Sequence, residues 1–145
     1  MGQIRVETTI TVTNDDGTET VIQKDKTFSS LTDIDVRQYT LAKDATQILW
    51  DPVNESTENM ASFGLLIAIA DGVLDLEFTA NEGDGNEELA TVRLTDALPL
   101  MLGADDAYSN HSASDAFAGT LDVVDKIRVD EPESAARVLT FIMAN

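Results

Sequence analysis

Cysteine is absent from this chain of 145 residues. That excludes disulfides, thiolate metal sites and cysteine nucleophiles together. Histidine occurs once, at His111, and a lone imidazole without thiolates makes a poor transition-metal site. Positive charge is scarce: 9 Lys and Arg stand against 27 Asp and Glu, for a formal net charge of −18. Such a surface repels phosphate backbones and anionic headgroups, so neither nucleic acid nor a membrane is an expected partner. No apolar segment follows Met1 in "MGQIRVETTITV", so no secretory signal is expected. Val6 stands where N-myristoylation of Gly2 would require Ser or Thr. Long apolar runs are missing too. The longest, "FGLLIAIA" at 63–70, stops at Asp71-Gly72, far short of the roughly 20 residues of a spanning helix.

What is present is a globular composition, 43% hydrophobic, in a length that suits one domain with a core of its own. The dominant period is two. "IRVETTITV" puts Ile4, Val6, Thr8, Ile10 and Val12 on one face and Arg5, Glu7 and Thr9 on the other. "NDDG" at 14–17 reads as a turn and "TETVIQKDKTF" as the returning strand, so 3–28 is expected to form a two-stranded ribbon. Further strands are expected at 36–42, 46–50, 89–94, 98–102, 120–129 and 135–144. The 63–70 run and the alternating "LDLEF" at 74–78, joined by Asp-Gly, read as a tight hairpin. Its first strand is expected to be covered on both faces. Helical turns have room only in "DIDVRQYTLAKDA" and "SASDAFAG". Crossover helices are missing, so parallel βαβ units are excluded. The fold class is therefore an all-β, antiparallel β-sandwich. It is jelly-roll-like, with an N-terminal β-ribbon at 3–28 and a sandwich core at 36–145 of a single 1–145 domain. Immunoglobulin-like connectivity is the competing arrangement.

Motifs that carry chemistry are few. "SNHSASD" places Ser, His111 and Asp close in sequence, but triads are assembled by the fold and no nucleophile elbow is present. A solvent-facing loop histidine is the simpler reading. Acid pairs at Asp15-Asp16, 81–88 and Asp105-Asp106 single out no glycosidase couple. "NEGDGNEE" at 81–88 offers hard oxygens to calcium without the spacing of an EF-hand loop. "NES" at Asn54 and "NHS" at Asn110 are formal sequons, read as accidental without a signal peptide. No glycine-rich loop opens a helix to cradle phosphate. Trp50 and Tyr39 could stack on a sugar, although Trp50 ends an apolar strand and suits a half-buried core position. No catalytic residue, cofactor-binding residue or metal ligand is assigned, no cofactor is expected, and the chain is read as non-enzymatic.

The order of features resembles the small virion structural proteins of tailed viruses. A charged N-terminal strand pair precedes "SFGLLIAIADGVLDLEF"; then come "LPLML" and a closing "LDVVDKIRV" and "RVLTFIMA" pair. The likeness is one of pattern, from about Val36 onward. It implies a capsid decoration or minor head protein, assembled in the host cytoplasm and found in the virion. It also implies a homo-oligomer, a trimer, in contact with capsid or tail proteins. The alternative is a receptor-binding or carbohydrate-binding domain of a tail or fibre, which would need exposed loop aromatics such as Tyr108 and Phe117. The acidity fits a halophilic host, where salt screens self-repulsion, and equally an ordinary acidic protein.

Overall fold

The computed structural model describes residues 1–52, 60, 63–80, 88–96, 99–103, 124–130 and 135–145. They divide into two compact units, Met1–Asp33 and Ile34–Asn145.

The first unit is an antiparallel hairpin of β1 (Gly2–Thr13) and β2 (Glu19–Leu31). Its tip forms because Asn14-Asp15-Asp16-Gly17 has the residues that a type I turn and a left-handed exit demand. The Gly17 amide donates to the Asn14 carbonyl at 2.9 Å, and Gly17 has φ 81°. The Asp16 carboxylate accepts from both the amide and the hydroxyl of Thr18, at 2.9 and 2.7 Å. Those bonds favour its charged form and lower its pKa. Pairing is regular from Ile4↔Phe28 to Thr13↔Glu19. At the base β2 carries an extra residue between Phe28 and Leu31, a bulge, with Ser30 at φ 65°.

The second unit is a sandwich of two four-stranded antiparallel sheets. One has the order β3 (Ile34–Leu41), β10 (Arg137–Ala144), β5 (Leu65–Ala70), β8 (Leu100–Gly103). The other has the order β4 (Gln47–Trp50), β9 (Val124–Asp130), β6 (Leu74–Ala80), β7 (Glu88–Leu94). Among the described strands, every sequential connection within this unit changes sheet except β6 to β7. The inward-facing alternate residues form one core. Leu66, Ala68, Leu139, Phe141 and Met143 of the first sheet meet Leu49, Leu74, Leu76, Phe78, Ile127 and Val129 of the second. The Trp50 ring is part of it, edge-on to Phe63 with centroids 5.0 Å apart. Its Nε1 donates to the Met60 carbonyl at 2.6 Å, so Trp50 is fully buried and its one polar atom is satisfied.

The expected hairpin of 63–70 with 74–78 does not form: β5 and β6 lie in different sheets. Asp71 is the reason. Its amide donates to the Val138 carbonyl of β10 at 3.1 Å, and its Oδ1 accepts from the Val138 amide at 2.9 Å. The side chain thus completes the ladder with β10 where the backbone leaves it, and the chain turns to the other sheet. Gly72 is buried against the Arg137 guanidinium, where a Cβ would fall 2.5 Å from Cζ. The 63–70 strand is covered on both faces through Ile67, but Ile69 is 46% exposed. The segment "DIDVRQYTLAK" is strand rather than helix where it forms β3.

Candidate functional site

The outward faces of the three sheets differ in charge. On β6 the residues between the core positions are Asp75 and Glu77, flanked in register by Arg93 and Thr91 of β7 and by Asp130 and Arg128 of β9. Arg93 binds Asp75 through two parallel bonds, Nε to Oδ1 at 2.8 Å and Nη2 to Oδ2 at 2.7 Å. This bidentate contact holds the Asp75 carboxyl below its ordinary pKa, against a smaller opposing effect of burial. Arg128 pairs with Glu77. This face is a lattice of charges that answer one another.

The outward face of the other sandwich sheet carries no ionisable side chain among the described positions. Val36, Ile142, Ile67 and Met101 lie side by side across all four strands, with Gln38, Thr140 and Ile69 in a second row. Leu65 and Ile67 are buried, while Val36 is 62% exposed. Of the four edge strands of the sandwich, β4 and β8 span only four residues each and β7 spans seven. β3 turns Asp35 and Arg37 toward the core side of its edge, paired at 2.8 Å, an arrangement that discourages a further strand. The same carboxylate raises the Arg37 pKa, partly offset by burial.

The β1–β2 arm has no such protection. All residues of 7–27 are exposed, including Ile10, Val12, Val21 and Ile22 at 45–55%. Register assigns Ile4, Val6, Thr8, Ile10 and Val12 to one face with Phe28, Lys26, Lys24, Ile22 and Thr20 opposite them. No carboxylate stands on it. Lys26 lies over the Phe28 ring, 5.5 Å from its centroid. The reverse face holds Glu7, Asp25, Glu19 and Arg5, with Arg5 bonded to Asp25 at 2.8 Å. The alternation read from the sequence in β1 is therefore the alternation of the arm. The two lysines join the apolar face only once the register places β2.

No group of residues able to hold a metal ion is found among the described residues, and none of their helices could cross a membrane. His111, Asp105-Asp106, the 81–87 part of the acidic loop, Asn54, Asn110, Tyr108, Phe117 and "SASDAFAG" lie outside the described residues. Asp15-Asp16 sits at the arm's tip, where Asp16 serves the turn.

No protein-family model and no curated protein matches the chain. The crystal structure of a mitogen derived from Yersinia pseudotuberculosis aligns over 77% of this chain and 85% of that one, at 12% identity and a TM-score of 0.40. A likeness at that level supports no conclusion about this chain.

Proposed function

We propose that the chain is a non-enzymatic virion structural protein of a tailed virus, a capsid decoration or minor head protein that acts through protein–protein contacts. The observation that carries the reading is the arm: a long β-branched hairpin whose residues 7–27 are all exposed and whose two strands pair only with each other among the described residues. An isolated two-stranded ribbon is marginal in water, and exposed apolar strands of this length are sites of association. A structural protein assembled in the host cytoplasm makes use of such an element, and a trimer is the assembly this reading expects. The strand order, with its first and last sandwich strands paired and all connections but one among the described strands changing sheet, supports reading the sandwich as a jelly roll. The test is to purify virus particles by density from the source culture and measure this chain in them by peptide mass spectrometry. Stoichiometric copies are expected, and a chain lacking residues 1–28 should fold yet fail to bind particles stripped of the native protein. Particles free of the chain, or full retention of the shortened form, would refute the proposal.

A further inference from the structure

The partner of the arm can be specified from its two faces. The Met1–Asp33 unit holds three basic residues (Arg5, Lys24, Lys26) and six acidic ones (Glu7, Asp15, Asp16, Glu19, Asp25, Asp33), a net −3. Of the chain's −18, the other −15 belongs to Ile34–Asn145. Two of the four lysines thus stand on the one arm face that has no carboxylate, amid Ile10, Ile22, Val6 and Phe28. The reverse face is acidic and rich in threonine. The arm therefore presents a basic, apolar side and an acidic, polar side. Only the first can approach an acidic protein without like-charge repulsion.

We infer that the Ile10/Ile22–Lys24/Lys26 face of the arm docks on the acidic sandwich of a second copy of this chain. Charge complementarity points to that occupant: the chain's own sandwich is the acidic surface always present at assembly, and the face is its electrostatic opposite. Twelve residues of β1 extend about 40 Å at the antiparallel rise, a strand long enough to lie across a face of a domain of roughly 110 residues. A contact of arm on sandwich is heterologous, so repeating it closes a ring when the rotation allows, which accommodates the expected trimer. Isoleucines at the centre of the face supply burial, and the lysines select register and partner.

The inference rests on the arm as an attachment element, as proposed above, and adds another copy of the chain as the seat of its Lys24/Lys26 face. The experiment therefore uses free full-length protein in solution. Equal amounts of unlabelled and ¹⁵N-labelled chains are mixed, cross-linked with a zero-length carbodiimide, and analysed by mass spectrometry, with sedimentation velocity in parallel. Lys24 and Lys26 should join carboxylates of Ile34–Asn145 in mixed-isotope pairs. The double variant Lys24→Glu/Lys26→Glu should weaken self-association by about tenfold or more, since two attractions become repulsions. Thr9→Glu/Thr11→Glu on the reverse face should leave it unchanged, and circular dichroism should show all variants folded. Cross-links confined to like-isotope pairs, a monomeric full-length chain, or equal loss from both variants would overturn the inference. None of these outcomes depends on recovery of the chain in virus particles.

Discussion

Asp75 shows how one side chain can tie stability to pH in this protein. Its folded pKa is lowered, first by the two bonds from Arg93. A carboxyl with a depressed folded pKa adds stability that is fully present above its unfolded value, near 3.8. That stability is lost as pH falls through the lower, folded value. The Arg93 side chain is 58% exposed, so solvent screening limits the pair to roughly 0.3–1 kcal/mol. Asp75→Asn should therefore lower unfolding free energy by about that amount at neutral pH. The gap between variant and parent should begin to narrow below pH 3.8 and close once pH passes the lower, folded value, where the parent's carboxyl is neutral in both states. Denaturant titrations at stepwise lower pH check this; a gap that persists unchanged at the acid end would mean that ionisation is not its source. Trp50 makes a different point at the same scale. Its place at the end of an apolar strand suggested a half-buried ring, but the acceptor of its Nε1 is the Met60 carbonyl, ten residues on. Nothing local in the sequence announces such a partner, and it is what permits complete burial.

At the scale of the element, period-two alternation identifies strands well because it records which side chains leave water. It therefore located β1 and β6 and the acidic outer face of β6, while the turn at 14–17 placed β2. What alternation does not record is the neighbouring strand. Asp71-Gly72 has the composition of a hairpin turn, yet Asp71 spends its carboxylate on the Val138 amide of β10, a residue far away in the chain. The corner between sheets is thus held by a contact that only the fold creates. Asp71→Ala removes the acceptor and should cost about 0.5–1 kcal/mol, the lower part of the range for a hydrogen bond because the site is exposed. Asp71→Asn keeps an oxygen acceptor in place and should retain most of that stability. Thermal or denaturant unfolding of the pair distinguishes the roles: equal losses would point to charge rather than to the hydrogen bond. The uncharged face of the β3-β10-β5-β8 sheet was illegible for the same reason. Val36, Ile142, Ile67 and Met101 come from four separated segments and become one row only in register. In the arm, by contrast, both strands are local and joined by a recognisable turn. The faces of β1 could be read before the structure, whereas Lys24 and Lys26 join its apolar face only through the register of β2, and the bulge at Ser30 had no sequence signal.

Across the whole molecule, a formal charge of −18 sets a cost that depends on the solvent. Only six of the basic residues lie in Ile34–Asn145, and Arg37, Arg93 and Arg128 are already committed to Asp35, Asp75 and Glu77. With a net −15 in Ile34–Asn145, few cations offset the carboxylates of that unit, and folding gathers this excess of like charge into a smaller volume than the unfolded chain occupies. The Debye length shrinks from about 30 Å at 0.01 M salt to about 3 Å at 1 M. Repulsion across the domain is thereby removed, while the partly buried pairs such as Asp75–Arg93 keep more of their attraction. Stability should accordingly rise with sodium chloride, by roughly 1–3 kcal/mol, or about 3–10 °C in melting temperature for a chain of this size. The arm contact should respond in the opposite sense in its electrostatic part, because salt also screens Lys24 and Lys26 from the partner's carboxylates. The two effects separate by variant. In Lys24→Glu/Lys26→Glu the melting temperature should still climb with salt, whereas self-association, repelled at low salt, should recover part of its strength. Melting curves and sedimentation over the same salt series provide the measurement. A melting temperature flat from millimolar to molar salt would mean that the carboxylates do not repel across the folded domain, and the salt-adapted reading of this surface would fall with it.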